Sequence, residues 1–260
     1  MTRHDKQWQR WCDDFDAADQ DIKRLFHNRY VWLTINEMWD ESVDKIQLNV
    51  IVQNWFTTLY VNTQCTGIRR ECDPDTRTSS LERCLRQLLE SPRLASRSRY
   101  EDAIRADKDV QAKYLPNLLR GFDEFALTPS TNCLDQDRIE GDLAALRAAA
   151  QTTRDYTNKI VAHRESLEER ITLPWADLDK ALNTVGKVLK RYYKLRHPGS
   201  VLANLTPGLP PGWEEPFRTA WCPDGFFPWT PGMAMDSIDS FVHEVRQPRV
   251  DPKDTAQPSA

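Results

Sequence analysis

Apolar residues recur at helical spacing through most of the chain, and the pattern predicts about five helices and no strand. After Asp19 or Asp21, the residues Ile22, Leu25, Phe26, Trp32, Leu33 and Met38 fall at roughly three-to-four spacing. That predicts a helix of about five turns whose N-terminus is marked by the acidic residues. From about Lys45 to Ile68, Ile46, Val50, Ile51, Trp55, Phe56, Leu59 and Tyr60 nearly encircle a helical axis, and Ile46–Ile68 holds no charged residue. An apolar surface on all sides predicts the buried centre of a bundle, or a helix partly in a subunit interface. Ser79-x-x-Glu82 reads as a capping box ahead of Leu81, Cys84, Leu85, Leu88 and Leu89, ending near Ser91-Pro92.

Residues 92–134 are less regular, with one helix around Tyr100–Ala106 and loop signals at Pro116, Gly121 and Pro129. They are expected to form an excursion from the bundle. Ile139, Leu143, Leu146, Ala150, Ile160 and Val161 describe a long helix from Asp135 to about Glu165, and Thr172 and Pro174 open a last one through Leu178, Leu182, Val185, Leu189 and Tyr192. The expected architecture is all-α and bundle-like.

Proline places a boundary. Five prolines fall in residues 1–197 and eleven in residues 198–260, so the helical body is expected to end near His197. The C-terminal extension carries Trp213, Trp221 and Trp229 at an even spacing of eight, among Phe217, Phe226 and Phe227. It reads either as an irregular segment wrapping the bundle or as an aromatic clamp for a peptide or bases. From about Val250 to Ala260 no large apolar group recurs, and disorder is expected.

Composition narrows the classes. With 28% charged residues, and six Asn or Gln within Ile46–Ile68, no segment suits a bilayer span. The N-terminus lacks an apolar leader, and a cytoplasmic location is expected. The cysteines at 12, 65, 72, 84, 133 and 222 contain no C-x-x-C, so reduced structural thiols are expected, with no metal. The formal charge of -4 covers an acidic start, Asp13 to Asp21, and a basic run, Lys187 to Arg196. That run reads as a solvated helix face or as an RNA track. Arg69-Arg70-Glu71-Cys72-Asp73 reads as a phosphate-binding cluster or as an ion-pair network.

The stretch Arg154-Asp-Tyr-Thr-Asn-Lys-Ile-Val-Ala-His163-Arg164 contains N-K-x-x-A-H, from Asn158 to His163. It resembles the core signature of HEPN domains: an arginine, a polar residue, spacers and a histidine. Leu25-Phe-His-Asn-Arg-Tyr30, Gly67-Ile-Arg-Arg-Glu-Cys-Asp73 and Ser79 to Leu89 are similar to the abortive-infection AbiU-type branch of that superfamily. The resemblance spans about residues 20–195. It implies an antiparallel HEPN-like bundle, a homodimer, and a prokaryotic defence or toxin protein, with RNA as substrate and an antitoxin or defence protein as partner. Active members cut RNA without metal or cofactor, the neighbouring 2′-hydroxyl serving as nucleophile.

By the motif, His163 is the proton-transfer residue and Asn158 the polar residue that orients groups. The position preceding Asn158, where the family carries arginine, is Thr157. Lys159, Arg154 and Arg164 are the local candidates for phosphate contact, and Arg69 and Arg70 the distant ones. Arg154 lies nine residues from His163, half a rotation away on an ideal helix. Two functions stay open: a metal-independent endoribonuclease, and a non-catalytic HEPN-like module binding a partner protein or nucleotide.

Overall fold

The computed structural model describes residues 2–41, 50–75, 77–108, 110, 112–129, 131–162, 173–206 and 208–218. Their regular structure is helical: α1 (Arg3–Glu41), α2 (Val50–Glu71), α3 (Leu81–Glu90), α4 (Arg97–Ala106), α5 (Leu115–Leu119), α6 (Gln136–Tyr156), α7 (Trp175–Arg196) and α8 (Glu215–Arg218). A 3-10 turn, Arg120–Glu124, follows α5, and a π-helical turn, Thr157–Ala162, follows α6. Among the described residues β pairing is limited to one isolated antiparallel bridge, Ala126 to Leu134. The protein is all-α, as the periodicity predicts. No helix among the described residues is long and apolar enough to cross a membrane.

Four long helices alternate in direction. Leu25 lies over Gly67, Trp32 stacks on Tyr60 and Trp39 meets Phe56 edge-on, so α2 runs back along α1. Tyr156 reaches Asn62 while Leu146 lies beside Cys72, so α6 opposes α2. Arg196 pairs with Asp16 and Arg29 with Asp179, so α7 opposes α1. The approach at Leu25 requires glycine: a Cβ at Gly67 would stand 2.4 Å from Leu25 Cδ2. The core formed between these helices and α3 includes Trp11, Phe15, Ile22, Ile68, Leu85, Leu146, Leu182 and Tyr192, all almost fully buried.

The first helix starts earlier than the acidic run suggests. Thr2 and Asp5 cap it reciprocally, the Asp5 N–H donating to Thr2 Oγ1 and the Thr2 N–H to Asp5 Oδ2. Trp11, Phe15, Ala18, Ile22 and Leu25 then continue one buried stripe. The acidic residues lie inside the helix and pair outward across the bundle: Asp14 with Arg83, Asp16 with Arg196, Asp21 with Arg70.

Three further expectations change. The capping frame at α3 is displaced by one residue. Ser80 is the N-cap and accepts from the Arg83 N–H, while Ser79 donates to Asp14 and Glu82 binds Arg86. Of the uncharged stretch Ile46–Ile68, residues 46–49 lie outside the described residues; within α2 it buries Tyr60, Gln64, Cys65 and Ile68, whereas Trp55 is 57% exposed and Leu59 44%. Finally, five helices is an undercount. The 92–134 segment holds α4, α5 and the 3-10 turn, and Pro116 opens α5, where its missing N–H costs nothing.

The described part of the C-terminal extension lies on the body. Leu205 is buried, Phe217 packs against the Ile35–Met38–Trp39 cluster and Trp213 lies 6.1 Å from Tyr30. The wrapping reading holds for these residues. Trp221, Phe226, Phe227 and Trp229 lie outside the described residues, as does Val250 to Ala260.

Candidate functional site

At the C-terminal end of α6 the helix widens. Thr153 donates its hydroxyl to the Ala150 carbonyl at 2.8 Å, and Thr157 donates to the Thr153 carbonyl at 2.7 Å. Hydroxyls bonded back into the preceding turn occupy acceptors of the regular ladder, and here the α-helical register gives way to the π-helical turn Thr157–Ala162. This turn carries Asn158 and Lys159; His163 and Arg164 lie outside the described residues.

Three of the candidate residues, Arg154, Asn158 and Arg69, share one polar cleft. Arg154 and Asn158, one turn apart at the end of α6, line it with Gln151, Asp155, Arg69 and Asp73, around a volume of about 280 Å3. Arg154 Nη2 donates to the Cys72 carbonyl at 3.1 Å, which ties the end of α6 to the loop after α2. Gln151 Nε2 donates to both Asp155 oxygens at 3.0 and 3.1 Å. Asp73 Oδ1 accepts the Asp75 N–H at 2.9 Å. Arg69 is exposed at the cleft, and its guanidinium makes no ion pair with another described residue. Lys159 is half-buried and does not line the cleft.

Beside the cleft, the Cys72 side chain is buried. Burial pushes the Cys72 thiol up to about 12, so it stays protonated near neutrality, and burial also raises the Tyr156 phenol. Thr157 is 2% exposed. Position 157 is therefore packed into the interior, and the guanidinium groups that reach the cleft are those of Arg154 and Arg69.

The Arg69–Asp73 cluster divides between its two readings. Arg69 and Asp73 line the cleft, whereas Arg70 turns to Asp21 at 2.6 Å and Glu71 caps α3 through the Leu81 N–H. The basic run on α7 is tied into the body: Lys190 bonds the Ala203 carbonyl, Arg191 binds Asp142, Lys194 binds Glu124 and Arg196 binds Asp16. That supports the structural reading of those four residues over an RNA track.

Sequence reasoning reached Arg154, Asn158 and Arg69 but passed over Gln151 and Asp155. The signal was present, since Gln151, Arg154, Asp155 and Asn158 fall at three-to-four spacing and so share one helix face. Asp73 joins them only through the fold. Chemically, two guanidiniums, two carboxylates and two amides around an open cleft suit recognition of a phosphodiester with hydrogen-bonding neighbours. Compared with family models, curated proteins and solved structures, the chain finds no match in any of the three.

Proposed function

We propose that the chain is a HEPN-like helical bundle of a prokaryotic defence or toxin system, acting in the cytoplasm as a metal-independent endoribonuclease. The observation that carries the reading is the convergence of Arg154, Asn158 and Arg69 on one cleft, at the helix end that leads into His163. In the reaction, the 2′-hydroxyl oxygen forms a bond to phosphorus and the bond from phosphorus to the 5′-oxygen breaks. A proton leaves the attacking hydroxyl and another reaches the leaving oxygen, the exchange assigned to His163. Charge building on the non-bridging oxygens meets guanidinium donors, the role assigned to Arg154 and Arg69.

A symmetric homodimer belongs to this reading, with two copies of His163 facing one cleft. Trp55, Leu59 and Trp175, all exposed, supply apolar area for such a contact. A second reading, a non-catalytic module binding a partner protein or nucleotide, is favoured by one observation: buried Thr157 replaces the motif arginine.

The test is incubation of labelled total RNA with purified protein beside His163→Ala. The nuclease reading expects cleavage unaffected by EDTA, products ending in a 2′,3′-cyclic phosphate, and loss of cleavage in the variant with an unchanged melting temperature. Intact RNA with wild-type protein selects the second reading.

A further inference from the structure

We propose that a track of arginines leads from the α2–α6 cleft across α3 to the first turns of α1, and that it binds the backbone of single-stranded RNA. The identity of the polyanion rests on the RNA reading above; the track itself rests on the placement of five accessible guanidiniums, those of Arg69, Arg154, Arg147, Arg86 and Arg10.

The track begins on α6. Arg147, Gln151, Arg154 and Asn158 lie at spacings of four, three and four, one continuous stripe, and Arg147 to Arg154 covers about 10 Å of helix. Arg147 then meets α3, where it and Arg86 both bind Glu82 Oε1, at 2.8 and 3.1 Å. Arg83, three residues before Arg86, is 7% exposed; it binds Asp14 at 3.2 Å and donates to the Thr78 carbonyl, which anchors α3 beneath the track. Beyond α3 lies a second polar cleft, of about 520 Å3, lined by Gln7, Arg10, Pro74, Arg83, Arg86 and Glu90 among others. Pro74 follows Asp73 of the first cleft, so the two clefts adjoin through that loop, and Arg147, which lines neither, shares Glu82 with Arg86 of the second.

The charges are layered. Glu82 is 1% exposed and Asp14 8%, so both carboxylates lie beneath, while the Arg86 and Arg147 side chains are 41% and 43% exposed. One buried carboxylate serves two guanidiniums there, which leaves positive charge at the surface, and exposed Arg10 and Arg69 add one at either end. Glu90, Asp73 and Asp155 also border the track; of these, Asp73 is engaged with the Asp75 N–H and Asp155 with Gln151. Planar guanidiniums pre-positioned by ion pairs lose little freedom when they contact phosphate. A single strand suits the site because attack by the 2′-hydroxyl needs a linkage free to turn into line, which a duplex restrains.

The experiment measures binding apart from cleavage, by fluorescence anisotropy with a labelled single-stranded RNA dodecamer, 2′-O-methylated throughout so that it cannot be cut. The double variant Arg10→Gln, Arg86→Gln is compared with Lys187→Gln, which removes an exposed cation on α7. For the double variant the expected result is a dissociation constant raised about tenfold near 100 mM salt. Its log–log salt slope should be shallower by about 1.4, roughly 0.7 for each lost phosphate contact. Its melting temperature should hold, because Glu82 keeps Arg147. Equal affinity of double variant and wild type, equal weakening by Lys187→Gln, or tighter binding of a duplex of the same length overturns the track. Unmodified RNA assayed in parallel separates the two readings. Binding through the track without cleavage leaves the track standing and removes the nuclease; cleavage with unchanged affinity in the double variant does the reverse.

Discussion

Glu71, in the last turn of α2, accepts the backbone N–H of Leu81 at 3.1 Å and so caps α3 from outside that helix. The two residues join the end of one core helix to the start of the next across the loop that carries Asp73. The carboxyl is fully buried, its second oxygen has no hydrogen-bond partner, and the nearest cation, Arg70 Nε, is 3.7 Å away.

This geometry sets a pH dependence. Burial pushes the Glu71 carboxyl up to about 8 from 4.5, against the opposing pull of the Leu81 N–H and Arg70. A folded pKa above the unfolded one means that the folded state holds the extra proton. The stability from this group is therefore full below its ordinary pKa and is lost as pH rises toward 8, by about 1.4 kcal/mol per pH unit. Glu71→Gln keeps an acceptor for the Leu81 N–H. Urea denaturation should show it matching wild type near pH 4.5 and exceeding it by about 4 kcal/mol near pH 8. Parallel pH profiles of the two proteins would contradict the assignment.

Two glycines within helices should respond oppositely to alanine. At Gly141 on α6 an added methyl would meet no atom within 4 Å, so Gly141→Ala should stabilise by about 0.5–1 kcal/mol through helix propensity. At Gly186 on α7 a Cβ would stand 2.5 Å from Phe26 Cζ and 2.8 Å from Leu205 Cδ1. Gly186→Ala should cost about 1–3 kcal/mol by overpacking. Denaturation midpoints moving in the same direction would show that one of the two environments is misassigned.

Thr157→Arg would complete the arginine-containing signature that the stretch resembles, but it places a guanidinium at a position 2% exposed. The expected outcome is destabilisation by more than about 3 kcal/mol with no gain of RNA cleavage. A variant that melts with wild type and cuts RNA faster would show that position 157 faces the cleft.

Leu205, Trp213 and Phe217 tie the C-terminal extension to the body. Leu205→Ala should cost about 2–4 kcal/mol, and deletion of 198–260 should lower the melting temperature and solubility together. A truncated protein that melts like the full chain would show that the extension contributes no packing.

The sequence by itself determined what depends on neighbours in the chain. Periodicity identified an all-α protein, Asp135 and Pro174 marked the starts of α6 and α7, and Ser91-Pro92 marked the end of α3. These signals are local because a cap or a missing N–H acts within one turn. The stripe from Gln151 to Asn158 was legible for the same reason. Only the tertiary structure decided which charges meet. Five aspartates between Asp13 and Asp21 resemble a helix start until Arg83, Arg196 and Arg70 arrive from other helices to pair with three of them. Likewise Arg69 and Arg70, adjacent in the chain, part company on a helix surface by about 100°. That rotation sends one to the cleft and the other to Asp21, because a partner's position depends on how helices dock and not on spacing along the chain.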